Sequence, residues 1–446
     1  MNRFGRLITM LILAGSCMTG WAQNIYVSSA MADDSGAGTS WTTAKKTIAA
    51  GIAAAGANGT VFVKAGQYLL SEEFTVPAGK IVLGGYEPSS TGTDTSRRHL
   101  PGANLHWSDT SWCSVVVGAG NHRIATVRGL LDGLVLRLGF STTNGGGVLI
   151  DGANAVVRYC VIKECDALSE NEIPSQGGGA YVMNNGTLLN CVVTECRASK
   201  GAGVAGGNGR LISNTITRNT PIDCGVVTDV DGNRYNTVVL GEQCWMRENL
   251  RTTRFSDGTE IPAGTGSSAN QPYRYDGYAS PLTPELFVRH GYMYNWTAVM
   301  HGSPGSSTNP SGVQGICPTG WHVPSKSEWE QLCNYVRSVS RFWCNNNSNY
   351  IVKALSSNVG WSGTSYNCRP GNNPSTNNAT RFSAIPTGYY NSNNNFYDFG
   401  SRSEYWTTTV YNSSNAYRQT FNSESDCGTA SAAYSYGYTV RCVKDE

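Results

Sequence analysis

A seven-residue segment in the first half of the chain recurs twice, and this repeat restricts the possible folds more than any other feature. Residues 159–165 read YCVIKEC, and the segment returns as NCVVTEC at 190–196 and, more loosely, as SNTITRN at 213–219. Glycine runs separate the copies, and the offsets are 31 and 23 residues. Such periods are typical of solenoids, in which each repeat packs on the next. Because the units are short and rich in β-branched residues, the repeat predicts a β-helix.

Side chains alternate between the two faces of a β-strand, so one face of each repeat points into the solenoid. We assign to the interior the face that carries the second residue of each repeat, which is Cys or Asn, and the aliphatic residue two positions later. Its members are Cys160, Ile162, Cys191, Val193, Asn214 and Ile216. A shared turn position at the end of each repeat is occupied by Cys165, Cys196 and Asn219.

The stacked cysteines could form disulfides or stay as thiols. Equivalent positions in neighbouring coils lie about 4.8 Å apart. Side chains that stack in parallel keep their Cβ atoms farther apart than the roughly 3.8 Å that a disulfide prefers. We therefore favour free thiols over the alternative of Cys160–Cys191 and Cys165–Cys196 disulfides.

The segments upstream of the repeats follow an order that is found in a known class of solenoid. They are Ile25–Val27, Ser40–Trp41, Ala44–Ile48 and Thr60–Tyr68. This order resembles the N-terminal cap of right-handed parallel β-helix proteins of the pectin-lyase-like class, over about residues 24–220. The resemblance implies a short helix at Ala44–Ala55 that closes the solenoid and covers its open sheet edge. It implies a fold and carries no function.

Amino-acid composition changes near residue 220. Only 5 of the 23 tyrosines lie before this point, whereas seven of the 11 tryptophans lie after it. The seam at 220–226 contains Pro221 and no long linker. We therefore expect a mainly β chain of two modules that lie close together, a β-helix at 23–220 and a second module at 225–446.

The second module contains a series of short motifs, among them CPTGWHVPS at 317–325 and AIPTGY at 384–389. The others occupy 227–238, 241–250, 257–262, 294–296, 405–408 and 436–445. Taken together and in chain order, these motifs are similar to those of the Fibrobacter succinogenes major paralogous domain, a bacterial extracellular family. The resemblance spans about 225–446 and implies an α+β fold related to C-type lectins and formylglycine-generating enzymes. No molecular function follows from it.

The motif at 227–238 predicts a β-hairpin that turns at 231–232. The acidic and amide side chains from Asp229 to Asn233 could also suggest a calcium loop. An EF-hand loop needs glycine at its sixth position and glutamate at its twelfth. Counted from Asp229, these positions hold Arg234 and Leu240. We therefore favour the hairpin.

A helix is predicted to begin after Ser325, because Ser325 and Glu328 have the spacing of a capping box. The apolar residues that follow at i, i+3, i+4 and i+7 share one helical face. They are Trp329, Leu332, Cys333 and Val336. We expect this face to pack inward and the helix to end near 337–341.

The resemblance to lectin-like folds implies one disulfide. In such folds a bond commonly links the region of the first helix to the last strand. The matching residues are Cys317 and Cys442, so we expect this pair to be bonded. Cys333 is a weaker partner for this bond, because its helical face points into the core, where a buried thiol behaves as a small apolar group; the pairing of the remaining cysteines stays open.

The N-terminus has the features of an export signal. A polar, positively charged start precedes an apolar run at 7–14, and the small residues Gly20 and Ala22 follow. We expect a signal peptide at 1–22 and an extracellular or outer-membrane location; the alternative is a lipid anchor on Cys17. No later stretch reaches the roughly 18 apolar residues of a membrane helix.

Charge and residue usage argue against several functional classes. The chain has 33 Lys and Arg against 31 Asp and Glu, so nothing attracts nucleic acid over long range. Six histidines and the lack of any CxxC among 14 cysteines give poor support for a zinc site. We expect no metal and no cofactor.

Two equivalent glutamates in the repeats are the strongest candidates for catalysis. Glu164 and Glu195, with Arg197 nearby, could do acid–base work on a polysaccharide. We favour the simpler interpretation that they are solvated turn residues. The isolated His322 is likewise interpreted as structural.

Aromatic residues interleaved with asparagine-rich loops are the candidates for ligand binding. They are Tyr389, Tyr390, Phe396, Tyr397 and Tyr411. Tyrosine beside asparagine and serine is typical of binding loops; the alternative is that these rings belong to the core. We expect a non-enzymatic surface protein that binds a glycan or a protein. The alternatives are a carbohydrate-active β-helix enzyme with an accessory domain, and a structural surface component without a discrete ligand.

Overall fold

The computed structural model describes residues 23–101, 110–169, 173–264, 269–275, 284–391, 393, 395–422 and 427–445, without the side chains of 284–286. The expected signal peptide at 1–22 and the alternative lipid site at Cys17 lie outside the described residues. Within the described ranges, no helix is long and apolar enough to cross a membrane.

The first module is a parallel β-helix. Its strands, in chain order, are β1 (Asn24–Val27), β2 (Thr60–Lys64), β3 (Gly66–Leu69), β4 (Phe74–Val76), β5 (Ile81–Tyr86), β6 (Ser114–Val117), β7 (Ala125–Val127), β8 (Leu130–Asp132), β9 (Leu134–Arg137), β10 (Phe140–Ser141), β11 (Val148–Asp151), β12 (Val156–Arg158), β13 (Val161–Lys163), β14 (Asp166–Ala167), β15 (Ala180–Met183), β16 (Thr187–Leu189), β17 (Val192–Thr194), β18 (Arg197–Ala198), β19 (Val204–Gly206), β20 (Arg210–Ile212), β21 (Thr215–Thr217) and β22 (Thr220–Pro221). They form parallel sheets in the orders β1-β2-β5-β8-β12-β16-β20, β3-β6-β9-β13-β17-β21, β4-β7-β11-β15-β19 and β10-β14-β18-β22. Each later coil therefore adds one strand to each sheet.

The register between coils is the one that the repeat predicts. Ile162 pairs with Val193, and Val193 pairs with Ile216. Ile162, Val193 and the cysteines that precede them, Cys160 and Cys191, are at most 1% exposed. The repeat cysteines are buried free thiols, so the preference for thiols over disulfides is confirmed.

The last coil departs from the expectation of a buried interior. Ile216 is 47% exposed and Leu211 is 52% exposed, because no further coil of the described chain covers them. Asn214 and Asn219 stand where earlier coils have cysteine. The side-chain oxygen of each accepts a hydrogen bond of 2.8 Å from the backbone N–H of the cysteine one coil earlier. The two amides therefore satisfy backbone groups at this edge.

The helix at the other end of the solenoid is shorter than the expected Ala44–Ala55. Helix α1 spans Ile48–Ala54. Thr47 is its N-cap, and the Thr47 hydroxyl accepts a hydrogen bond from the Ala50 N–H. Lys45, which was expected to be helical, is extended, because its N–H donates to the Tyr26 carbonyl and its C=O accepts the Ser28 N–H. Helix α1 packs on the core of the first coils and closes that end.

The second module consists of antiparallel sheets around one long helix. Its strands are β23 (Val226–Thr228), β24 (Arg234–Leu240), β25 (Gln243–Met246), β26 (Arg274–Tyr275), β27 (Met293–Tyr294), β28 (Trp321–His322), β29 (Tyr389–Tyr390), β30 (Phe396–Tyr397), β31 (Arg402–Asn412), β32 (Asn415–Asn422), β33 (Cys427–Ala433) and β34 (Val443–Lys444). Its α-helices are α2 (Pro284–His290), α3 (Trp296–Met300), α4 (Lys326–Ser338) and α5 (Val352–Leu355). Short 3-10 helices lie at Ser340–Phe342 and Pro374–Thr376 in this module and at Trp41–Thr43 in the β-helix. The larger sheets have the orders β23-β24-β25-β34-β28 and β31-β32-β33, and the predicted hairpin at 227–238 is formed by β23 and β24.

Helix α4 begins as predicted and organises the core of this module. The Ser325 hydroxyl accepts the Glu328 N–H, and the Glu328 carboxylate accepts the Ser325 N–H at 2.8 Å, which completes the capping box. The predicted apolar face is buried. On this face the ring of Trp329 lies 4.4 Å from that of Trp245 and 5.1 Å from that of Tyr405.

The described residues contain four disulfides, and one of them engages the core-facing Cys333. They are Cys224–Cys244, Cys317–Cys442, Cys333–Cys427 and Cys344–Cys368. The bond between Cys317 and Cys442 is the one that the lectin-like resemblance implies. Cys333 is bonded to Cys427, a pairing that the sequence left open. Its helix packs on β32, and the neighbouring β33 begins at Cys427, with 6.2 Å between the two Cα atoms.

His322 connects the capping box to the C-terminal strand. Its Nδ1 lies 2.7 Å from Asp445, and its Nε2 lies 2.5 Å from Glu328. Burial alone would lower the pKa of His322, but hydrogen bonds to Glu328 and Asp445 raise it above its usual value. The interpretation of His322 as a structural residue agrees with these contacts.

The raised pKa predicts a pH-dependent stability contribution. A group that binds its proton more tightly when folded stabilises the fold fully below its unfolded pKa, near 6.5, and loses that contribution as pH rises through its folded pKa. We expect His322→Gln to lower the free energy of unfolding by on the order of 1 kcal/mol more at pH 6 than at pH 9. Urea unfolding at both pH values measures this difference. The same loss at both values would contradict a protonated His322.

Candidate functional site

The hairpin of β29 and β30 separates four of the candidate aromatic residues into two pairs. Tyr389 pairs with Tyr397, and Tyr390 pairs with Phe396. Since adjacent residues of a strand point to opposite faces, Tyr389 and Tyr397 lie on one face and Tyr390 and Phe396 on the other.

The first face continues into two further tyrosines. The ring of Tyr389 is stacked 5.7 Å from Tyr397, 6.0 Å from Tyr436 and 5.5 Å from Tyr438. The interplanar angles are 25°, 7° and 25°, so the four rings are nearly parallel. Tyr397 is 41% exposed, Tyr389 and Tyr436 are half-buried, and Tyr438 is buried. We call Tyr389, Tyr397, Tyr436 and Tyr438 the tyrosine platform.

Backbone pairing holds the two halves of the platform together. Gly437 exchanges hydrogen bonds of 2.8 and 2.9 Å with Tyr390, which places Tyr436 and Tyr438 beside the hairpin. A Cβ atom at Gly437 would lie 2.5 Å from the Tyr275 ring and 3.0 Å from the Tyr390 Cβ. Only glycine therefore allows this close approach.

An ion pair lies beneath the rings. The fully buried carboxylate of Glu404 accepts hydrogen bonds from the Arg418 guanidinium and, at 2.8 Å, from the Thr420 hydroxyl. The guanidinium of Arg418 lies 5.1 Å from the centre of the Tyr438 ring. Burial raises the pKa of Glu404, although Arg418 and Thr420 act against this. Arg418 is thereby held against the underside of the platform.

Exposed charged groups form the rim of the platform. Asp398 follows Tyr397, and its carboxylate lies 3.4 Å from the guanidinium of Arg402. The Asp398 and Arg402 side chains are 35% and 43% exposed, so both can reach a ligand. The pKa of Tyr389 is raised, first by burial and then by the negative charge of Asp398. The site thus combines aromatic faces with hydrogen-bonding groups at their edge.

The other three candidate aromatic residues lie outside this site. Tyr390 is only 4% exposed and stacks on Tyr275 at 4.0 Å, which favours the alternative that this ring belongs to the core. Phe396 packs on Tyr390 at 5.0 Å. Tyr411 is 54% exposed and contacts Tyr417 near the far end of β31.

Sequence reasoning overlooked Tyr436, Tyr438, Glu404 and Arg418. The alternate spacing of Tyr436 and Tyr438 is a signal that two rings share one face of an extended segment. Nothing in the sequence indicated that this segment pairs with the hairpin.

The glutamates considered for catalysis are engaged by basic side chains. Glu164 lies 2.6 Å from Arg137, and Glu195 lies 3.1 Å from Arg218. Arg197 is not their partner, because it forms a bidentate ion pair with Asp166 instead.

The described residues contain no group of three or more His, Cys, Asp or Glu side chains that could hold a metal ion. At the hairpin of β23 and β24, the Asp229 carboxylate accepts the N–H groups of Asp231 and Asn233 and the Tyr235 hydroxyl. These contacts close a turn, as the hairpin interpretation expects.

Comparison with protein families identifies the second module. Residues 238–444 match the family described as the Fibrobacter succinogenes major domain. The second module is similar to this family over these residues, and we call it the major domain. The whole tyrosine platform, the ion pair beneath it and its rim lie inside the major domain. No curated protein and no solved structure matches the chain significantly.

Proposed function

We propose that this is an exported, non-enzymatic surface protein whose major domain binds a glycan on the tyrosine platform. The observation that carries the proposal is the set of nearly parallel, partly exposed rings with Asp398 and Arg402 at their edge. The apolar face of a sugar ring packs on aromatic faces, while its hydroxyl groups need hydrogen-bonding partners beside them.

The size of the platform favours a glycan over a protein partner. A fully buried aromatic side chain covers about 150–250 Å². No ring of the platform is more than 41% exposed, so together the rings offer at most a few hundred Å². A standard protein interface needs roughly 800 Å² from each partner. A short oligosaccharide matches the smaller area.

The rigidity of the site also supports binding. The rings stand on paired strands and stack on each other, so that little side-chain freedom is lost when a ligand binds. The similarity of the second module to this family and the four disulfides among the described residues fit an extracellular location. Export through a signal peptide cleaved after residue 22 completes the proposal.

A glycan array probed with the full chain tests the proposed function. We expect a restricted set of glycans to be retained, and Tyr397→Ala or Tyr436→Ala to raise the Kd for them about tenfold, which corresponds to about 1.4 kcal/mol. The matched control is Tyr411→Ala, because Tyr411 is exposed but lies seven residues beyond Glu404 on β31, roughly 23 Å away. This control should leave the Kd unchanged.

Three outcomes would count against the proposal. They are an array without a retained glycan, an equal effect of Tyr411→Ala and Tyr397→Ala, and cleavage of a retained glycan. The last outcome would favour the carbohydrate-active enzyme instead.

A further inference from the structure

The last coil of the β-helix is open on one side. It consists of β19, β20, β21 and β22, and each of these strands lies at the edge of its sheet. In the described part of the chain, no further strand pairs with any of the four. Of the 21 residues at 201–221, only Gly203 is buried, and the large apolar residues Leu211, Ile212 and Ile216 are 36–52% exposed. We call this surface the open coil.

The backbone of the open coil presents free hydrogen-bonding groups at this edge. The Arg210 N–H donates to the Gly186 carbonyl at 2.8 Å, and the Thr215 N–H donates to the Cys191 carbonyl at 2.9 Å, so both face the preceding coil. Neighbouring residues of a strand in a ladder face opposite edges. The N–H and C=O groups that follow, those of Leu211 and Ile216, therefore point away from the preceding coil. An edge of this kind is a template for another strand.

The side chains at the same edge are apolar. Leu211 pairs with Leu188, and Ile216 pairs with Val193. Both partners belong to the core of the solenoid, and Val204 of β19 packs against that core as well. A solenoid needs a terminal repeat with a polar outer face to be soluble on its own. The open coil presents a continuation of the core instead.

The closed end of the solenoid restricts how two copies of the chain could cover the open coil. Helix α1 packs on the first coils, so one copy cannot extend the solenoid of another head to tail. Two open coils can meet only head to head, about a two-fold axis, and this symmetry gives a closed dimer and no filament. Such an axis, perpendicular to the solenoid, reverses the chain direction, so the edge strands of the two copies would pair antiparallel.

The size of the open coil also fits a second copy. Its 21 residues match the roughly 20–30 residues that each partner contributes to a standard protein interface. The partner would supply an identical set of free backbone groups and apolar side chains, so that each exposed edge is covered by a matching edge.

We propose that the open coil is a homodimer interface, in which two solenoids join into one continuous core. An axis through the middle of β20 places Leu211 opposite the partner's Leu211, and β21 opposite the partner's β19. The two Leu211 residues then exchange a pair of backbone hydrogen bonds, as in an antiparallel ladder. Ile216 meets the strand that carries the partner's Val204. The interface does not depend on the tyrosine platform or on a glycan bound there.

The charges of the open coil are compatible with this pairing. Arg210 and Arg218 are the charged residues at 201–221. Arg218 is paired with Glu195 at 3.1 Å. Across the antiparallel pair of β20 strands, Arg210 lies opposite the partner's Ile212. The two Arg210 side chains are therefore not directly opposite each other, where like charges would destabilise the pair.

Sedimentation velocity of the full chain over a wide range of concentrations tests the proposal. We expect a monomer–dimer equilibrium without larger species. Leu211→Lys leaves the new charge in water in the monomer but buries it in the dimer, so it should raise the dimer Kd about a hundredfold. The matched control is Leu69→Lys, because Leu69 is exposed on β3, at the opposite edge of the sheet that ends with β21, about 24 Å away. This control should leave the Kd unchanged.

Cross-linking distinguishes the proposed arrangement from a dimer formed elsewhere. Residues of a hydrogen-bonded antiparallel pair have Cα atoms about 5.5 Å apart, which suits a disulfide. Under mild oxidation Leu211→Cys should therefore form a disulfide-linked dimer, whereas Leu69→Cys should not. The free thiols among the described residues are buried and do not compete.

Three outcomes would overturn the proposal. They are a wild-type chain that stays monomeric at every concentration, an unchanged dimer Kd in a Leu211→Lys chain with the wild-type circular dichroism spectrum, and a dimer in which Leu211→Cys forms no cross-link.

Discussion

Replacement of both Cys317 and Cys442 by alanine is expected to lower the free energy of unfolding of the major domain by about 4.9 kcal/mol. The bond closes a loop with a sequence separation of 125 residues, and the chain-entropy relation gives this value for such a loop. The bond also ties the strand β34 to the start of β28, where the two strands pair. Seven of the 11 tryptophans lie in this module, so tryptophan fluorescence during urea unfolding reports on it.

The Cys344–Cys368 disulfide provides a matched control for this prediction. Its sequence separation is only 24, for which the same relation gives about 3.4 kcal/mol. The double alanine variant of this pair should therefore be the more stable of the two. The reverse order would show that loop length does not govern these contributions.

Asp166→Asn is expected to lower the free energy of unfolding by about 3–5 kcal/mol at pH 7. The substitution keeps the volume but leaves Arg197 and Arg341, whose side chains are 4% and 11% exposed, without a counter-charge. Burial would raise the pKa of Asp166, but Arg197 and Arg341 lower it below its usual value. A carboxyl group whose pKa is lower in the folded than in the unfolded chain stabilises the fold at pH values above its unfolded pKa, near 3.9. This contribution is lost as the pH falls through the pKa of the folded state. The difference between the two proteins should therefore shrink in acid.

Urea unfolding at pH 7 and at pH 3 measures the effect of Asp166→Asn. The control is Asp151→Asn, because Asp151 pairs with Arg128, whose side chain is 52% exposed. Such surface pairs contribute about 0–1 kcal/mol. Equal losses in the two variants would contradict the role of Asp166 as the buried counter-charge at the junction.

The features that could be predicted from the sequence are those set by local patterns. The offset between repeats determines which residues stack, so Ile162 and Val193 pair as predicted. The capping box places the start of α4, because the hydrogen bonds of a cap join residues three positions apart. In both cases the residues that interact are separated by a short or regular number of positions, so the sequence shows which residues meet.

The features that could not be predicted depend on pairing between distant segments. The helical pattern predicts that Cys333 points inward, but the sequence does not show that Cys427 meets that face. The tyrosine platform needs Gly437 to pair with Tyr390, 47 residues earlier, and alternation alone cannot show this. The sequence also does not show which face of the hairpin is buried, because this depends on the segment that packs against it. Tyr390 on the buried face was therefore a candidate together with Tyr389 on the other face.

The exposed last coil determines where a chain of this design can lengthen by duplication. Leu211 and Ile216 present the apolar interior of a coil, so a further copy of the 23-residue unit would cover them and create the same edge one coil further along. Helix α1 prevents such growth at the other end. Arg341 and Arg381 hold the major domain to coils that precede this edge, whereas the chain leaves the solenoid at β22 and reaches β23 of that domain after only four residues. An added coil would move the exit of the chain by about 4.8 Å, so the solenoid can lengthen during evolution only together with this connection.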